Sequence, residues 1–200
     1  MAAITQSFLE QIESYDSCLG SGAFGIVIKV TAYNKEESAI KILFPDNVEP
    51  KEQKRMLREV LTVGFERNDN VVQIVNFESK TFTQEELKVI FQVLPHNLED
   101  YKQLYLSRAK RLGGVESLCV QMELCGENLK TWLDKAKDKI DPSIELLQAV
   151  IPKNVIDGLK FLHDHKIIHR DLKPANILFS SSNFCLPVKI GELVISKKLF

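Results

Sequence analysis

The spacing of apolar positions changes character along the chain. Between residues 17 and 43 the texture is that of strands: IVIKVTAY (26–33) is rich in β-branched residues and partly alternating, and ESAIKIL (37–43) follows the turn-like Asn34-Lys35. Residues 1–13 read as a short helix or a tail, and FPDNVEP (44–50) as a loop. The stretch KEQKRMLREVLTVGFER (51–67) turns helical, with Met56, Val60 and Val63 at helical spacing and Glu59 one step around. VVQIVNFE (71–78) and SLCVQMEL (117–124) are further predicted strands. The 79–116 insert between them is too long for a hairpin. It predicts a helix near LEDYKQLYLSRAKRL, with Leu98, Tyr101, Leu104, Tyr105 and Arg108 along one face, while ELKVIFQVL (86–94) fits either strand or helix.

The second half reads as helical. ENLKTWLDKAK (127–137) suits three turns, and the next helix carries a stripe of Ile144, Leu147, Ile151, Val155, Leu159 and Leu162. Asp141 or Ser143 is placed to cap its start. Pro152 is expected to kink or divide it, because proline lacks a backbone donor and crowds the preceding turn. The order is thus a β-rich part followed by an α-rich part, with the natural joint at residues 123–126 and no internal repeat.

Composition narrows the class. The 200 residues are 44% apolar and 26% charged, with a net charge of −1, which is ordinary for a soluble globular chain and gives no footprint for nucleic acid or a membrane surface. KEQKR (51–55) is expected to be a wet helix face. Cysteines 18, 119, 125 and 185 have no metal-ligand spacing and fit reduced thiols in the cytoplasm. The N-terminus lacks a signal-peptide pattern, and no apolar run approaches ~18 residues.

Three stretches carry chemistry. In LGSGAFGIV (19–27) the glycines stand between two strands rather than between strand and helix, and the GK[ST] ending of a nucleotide-binding loop of the Walker type is missing. Gly20, Gly22 and Gly25 would let a hairpin backbone press its N–H groups against phosphates; the same residues would also make a plain flexible turn. In SAIKI (38–42), Lys41 interrupts an apolar strand. It is either an edge lysine reaching solvent or a buried ammonium that needs a counter-charge, for which Glu59 is the natural partner. IIHRDLKPANILF (167–179) gathers an imidazole, two cations, a carboxylate and an amide within ten residues. That set suits phosphoryl transfer, which depends on positioning and charge neutralisation. Asp171 could accept a hydroxyl proton, Lys173 balance the transferred charge, and Asn176 offer an oxygen to Mg²⁺.

Together GSGAFGIV, the AIK lysine, Arg58-Glu59 and HRDLKPAN resemble a eukaryotic serine/threonine protein kinase domain, in the family's order and spacing. The resemblance covers about residues 17–199. It implies an α+β, bilobal, protein-kinase-like fold: an antiparallel N-lobe sheet with one helix over residues 14–124, and a truncated helical C-lobe over 125–200. It implies ATP and Mg²⁺ as cofactors. Leu19, Gly20, Gly22, Gly25, Val27, Ala39, Lys41, Glu59, Met122, Glu123 and Cys125 would then surround the nucleotide, with Lys41 paired to Glu59 and residues 123–125 forming the hinge to adenine. Asp171 and Lys173 would be catalytic, Asn176 and Glu192 metal-binding, His169 architectural, and Arg170 would face the activation segment. VQMELCGENLKTWL and the long insert resemble stress-response kinases that phosphorylate a translation-initiation factor. FLHDHKIIHRDLKP with ISKKL resembles the unfolded-protein-response kinase/endoribonuclease, whose nuclease is not implied.

VKIGELVISKKLF (188–200) departs from the pattern, with Glu192-Leu193-Val194 where the family has Asp-Phe-Gly. Glutamate keeps the charge but adds a methylene, roughly 1.5 Å of reach; β-branched valine resists the backbone freedom of glycine. The resemblance spans about two thirds of the family's domain, so the helix at 143–165 is expected to leave several hundred Å² of apolar surface open. Two functions compete: an ATP-dependent kinase acting on a protein substrate, and a pseudokinase-like module that binds a partner kinase. No nucleic-acid or direct membrane partner is expected, and a dimer is compatible.

Overall fold

The computed structural model describes residues 7–22, 25–44, 66–136, 142–191 and 197–198. They belong to two compact units, Met1–Asn47 with Val75–Glu123, and Val48–Ile74 with Leu124–Phe200.

The first unit is a five-stranded sheet in the order β1-β2-β3-β5-β4, with β1 Ile12–Gly22, β2 Gly25–Ala32, β3 Glu37–Leu43, β4 Ile74–Phe82 and β5 Val115–Met122. The pairs β1–β2, β2–β3 and β3–β5 are antiparallel. At the β2–β3 turn Lys35 adopts a left-handed φ of 69° and its N–H donates to the Ala32 carbonyl. The Asn34 amide oxygen accepts from the Glu36 N–H at 3.0 Å, the local bonding that makes Asn a turn former. Of the short helix or tail expected over residues 1–13, the described part is a short 3-10 helix, Phe8–Gln11, that leads directly into β1 at Ile12. The Glu78 carboxylate holds this turn, accepting from the Ser7 hydroxyl at 2.7 Å and the Leu9 N–H at 2.9 Å.

Strand bounds shift from those predicted. The fourth strand starts at Ile74 and runs on to Phe82, and the fifth starts at Val115, so the insert proper is residues 83–114. It contains two helices, α1 Gln84–Phe91 and α2 Glu99–Leu112, rather than one. The ambiguous stretch 86–94 is therefore mostly helix. Thr83 accepts from the Glu86 N–H while Glu86 reaches back to the Thr83 N–H, a reciprocal cap that starts α1. Leu87, Ile90 and Phe91 then share one buried face. Gly113, at a φ of 75°, ends α2. Both helices pack with Ile26, Ile28, Val30, Ile40, Ile42 and Cys119 in a single core. The N-lobe helix expected at 51–67 lies outside the described residues except at Glu66 and Arg67, which are not helical.

The second unit is less purely helical than expected. Its helices are α3 Leu129–Ala136 and α4 Pro142–Asp164, but β7 Ile177–Ser181 and β8 Cys185–Ile190 form an antiparallel hairpin, and β6 Ile167–Ile168 pairs with β9 Lys197–Lys198. Val71 and Val72, predicted as strand, instead join β8: Val71 bridges Ile190 in parallel and the Val72 N–H donates to the Ile190 carbonyl at 3.0 Å. The α4 helix runs through Pro152 undivided. Pro152 and Gln148 are both exposed, so the carbonyl deprived of its donor is on the wet side of the helix. Because α4 begins at Pro142, Ser143 falls inside its first turn; Asp141 is outside the described residues.

The apolar stripe of α4 is not left open as expected. Leu147, Ile151 and Val155 pack with Leu129, Trp132, Ile177, Phe179 and Val188, and Leu159 and Leu162 pack with Val71, Ile167 and Ile190. The hairpin that the sequence pattern did not reveal supplies most of this cover. Of the stripe, only Ile144 has a side chain outside the description, and Ile156, off the stripe, is exposed.

Candidate active site

In the first unit the ladder register brings distant residues onto one sheet face. Gly20 is opposite Val27, Val27 opposite Lys41, and Lys41 opposite Val120. Two residues along each strand, the next row of this face contains Lys29, Ala39 and Met122. Directly opposed residues share a face because the side-chain period of a strand is two. Five predicted nucleotide-site residues, Gly20, Val27, Ala39, Lys41 and Met122, thus lie together although 102 positions separate the first from the last (122 − 20). Lys41 is 4% exposed, which excludes the solvent-reaching edge lysine. Leu19 is exposed on β1, and Glu123 follows β5 half-buried.

The glycines divide by physical role. A Cβ on Gly25, whose φ is +151°, would collide with the Ile42 carbonyl, so β2 and β3 themselves require glycine there. A Cβ on Gly20 or Gly22 would meet nothing within 4 Å. The fold has no need of glycine at those two positions; a phosphate drawn against the backbone would.

In the second unit, residues 169–176 form a tightly bonded loop. His169 is 3% exposed; its Nε2–H donates to the Gly191 carbonyl at 2.6 Å, and its Nδ1 accepts the Asp171 N–H at 3.3 Å. These partners define the neutral Nε2–H tautomer. Arg170 between them takes a left-handed φ of 65°. The loop ends in a 3-10 turn, Pro174–Asn176. From there the Asn176 amide nitrogen donates to the Asp171 carbonyl at 2.8 Å and to its carboxylate at 3.0 Å. Because both partners are acceptors, the amide orientation is fixed, and its oxygen has no donor among the described residues.

The Asp171 carboxylate also receives the Lys173 ammonium at 2.8 Å. That hydrogen bond holds the acid below the usual carboxylate range; desolvation opposes it, and the Asn176 hydrogen bond adds a lesser lowering. Both side chains are about half exposed, so solvent screens the pair. The Gly191 N–H donates to the Asn176 carbonyl at 2.9 Å, so Gly191 is bonded on both sides to this loop. Glu192, the predicted metal ligand that follows it, is outside the described residues, as is Glu59. Among the described residues no three His, Cys, Asp or Glu side chains converge on a cation site. Hard oxygen donors of the Asn176 kind are what Mg²⁺ takes.

Cys125 is half-buried, and none of the four cysteines is in a disulfide. The neighbouring 126–128 segment pairs with β7: the Gly126 N–H donates to the Phe179 carbonyl at 2.8 Å, and the Phe179 N–H to the Glu127 carbonyl at 2.9 Å. Among the described residues, one carboxylate oxygen of Glu127 is buried without a partner. Sequence reasoning overlooked this residue; an acid beside the predicted hinge was the available signal.

One unit thus carries a face of glycines, apolar residues and one buried lysine, and the other an Asp-Lys-Asn cluster. A model of the protein kinase domain matches residues 14–199, and the chain belongs to that family, in its eukaryotic serine/threonine form. It is 32% identical over 182 residues to the proto-oncogene serine/threonine-protein kinase mos of Mus musculus, covering 90% of this chain and 45% of that protein. The transforming protein mos of Moloney murine sarcoma virus is also 32% identical over 182 residues, covering 90% of this chain and 41% of the viral protein. The eukaryotic translation initiation factor 2-alpha kinase pek-1 of Caenorhabditis elegans is 30% identical over 132 residues, 62% of this chain and 12% of that protein. The chain spans less than half the length of these curated relatives. No helix among the described residues is long and apolar enough to cross a membrane.

Proposed function

We propose that this chain binds ATP with Mg²⁺ and directs the γ-phosphate to a serine or threonine hydroxyl of a protein substrate. The observation that carries the reading is the Asp171 carboxylate, kept ionised and aimed by Lys173 and Asn176. An acid of lowered pKa is a weak base. It suits a loose transition state, in which the hydroxyl needs orienting and gives up its proton late.

The bound nucleotide supplies the phosphoryl group, and the metal neutralises its charge. The Gly20 and Gly22 backbone would face the phosphates, and Lys41, paired with Glu59, would hold their charge. Leu19, Val27, Ala39 and Met122 would enclose adenine, with Glu123 and Cys125 bonding its edge. The Asn176 amide oxygen and Glu192 would hold the metal. In this reading residues 14–124 act as the nucleotide-binding lobe and 125–200 as the catalytic one.

Asp171→Asn should abolish phosphate transfer from radiolabelled ATP to a generic protein acceptor while leaving ATP affinity within about threefold. Transfer that survives this substitution would sink the assignment of Asp171. The second reading, a binding module that regulates a partner kinase, draws on Glu192-Leu193-Val194 in place of Asp-Phe-Gly. It predicts a chain that binds nucleotide, transfers nothing and forms a stable complex with a catalytically competent kinase.

A further inference from the structure

The strand bearing Lys41 is gripped from behind. On β3 the residues alternate, with Lys41 on the glycine-loop face and Ile40 and Ile42 on the other, where the insert helices cover them. Just past the strand, Phe44 enters an aromatic cluster made by those helices. Its ring stacks on Tyr105 of α2 at 4.3 Å between centroids and 29° between planes, and meets Phe91 of α1 and Tyr101 of α2 edge-on at 6.3 and 6.1 Å. Phe44 and Tyr105 are 5% and 4% exposed. Phe44 is three residues from Lys41, so the insert clamps the chain just past Leu43, the last paired residue of β3.

We propose that Tyr105 is a positioning residue for Lys41: stacked on Phe44, it holds β3 in register so that the lysine is presented at a fixed depth on the opposite face. The insert is then a built-in back support of the nucleotide site, and its loosening is a means of weakening that site. The importance of Lys41 to nucleotide rests on the function proposed above; the positioning itself does not. The argument is mechanical, because a packed core passes displacement between touching side chains rather than absorbing it.

The test uses the full chain with Tyr105→Leu and Phe44→Leu, which keep the site apolar but remove the stack, Tyr105→Phe, which keeps the ring, and Val115→Ala as a substitution in the same core, on β5 and outside the aromatic stack. Two readouts are followed well below the melting temperature: acetylation of Lys41 by a soluble acetyl ester, read by mass spectrometry, and affinity for ADP. The two leucine variants should speed Lys41 acetylation about 3- to 30-fold and weaken ADP by a similar factor. Tyr105→Phe should match the parent, and Val115→Ala should lower the melting temperature without moving either readout. Leucine variants that acetylate no faster than Val115→Ala, or a Phe variant as impaired as Leu, would overturn the proposal. A parent chain that binds no ADP, with acetylation still faster in the leucine variants, would uphold the positioning role and remove the nucleotide reading instead.

Discussion

Single residues separate what the fold needs from what a ligand needs. Gly25 is fixed by its backbone and by the Ile42 carbonyl, so Gly25→Ala should destabilise the chain by about 2 kcal/mol or more, visible as a lower urea midpoint. Gly20→Ala meets no atom and should stay within about 0.5 kcal/mol of the parent, yet weaken nucleotide binding measurably. Equal effects of the two on stability would show that the open side of Gly20 is not open. Asp171 gives a pH prediction. Its folded pKa is lowered, chiefly by the Lys173 hydrogen bond, so its contribution to stability is present above the unfolded value of about 3.9 and fades as pH falls through the lower folded value. Lys173→Met should return the Asp171 titration, followed by carboxyl NMR, toward its ordinary position. Residue types and spacing made Asp171, Lys173 and Asn176 legible in the sequence. They could not show that the Asn176 nitrogen is spent on Asp171, because that depends on a turn made by Pro174–Asn176 and on its bond to Gly191.

Elements show where periodicity succeeds and fails. Strands β2 and β3 were readable because β-branched residues flank a turn with its own local bonds. The 86–94 stretch was not, since its apolar run satisfies both periods; the reciprocal Thr83–Glu86 cap decides for helix. Thr83→Ala should therefore cost about 1 kcal/mol in urea denaturation and raise hydrogen exchange at the start of α1. The β7–β8 hairpin escaped notice for another reason: in isolation its short strands carry too few residues to display alternation. Their pairing becomes favourable only when Phe179, Val188 and Ile190, all fully buried, meet the stripe of α4.

Over the whole molecule, the described residues of the first unit hold one core, under the insert helices, and those of the second hold two clusters along α4. Ile42→Ala and Leu162→Ala should each cost about 2–5 kcal/mol, since both side chains are fully buried. Hydrogen exchange should rise first in the unit that carries the substitution; a uniform rise across both would mean the cores melt as one. By itself the sequence determined the family, the glycine hairpin, the lysine-bearing strand and the Asp171 loop, because each depends on residue chemistry over a short stretch. Only the tertiary structure decided that Gly20, Val27, Ala39, Lys41 and Met122 share a face, that the insert covers the opposite one, and that the α4 stripe is filled from within. Ladder register and burial are set by contacts between residues far apart in sequence, and no local period encodes them.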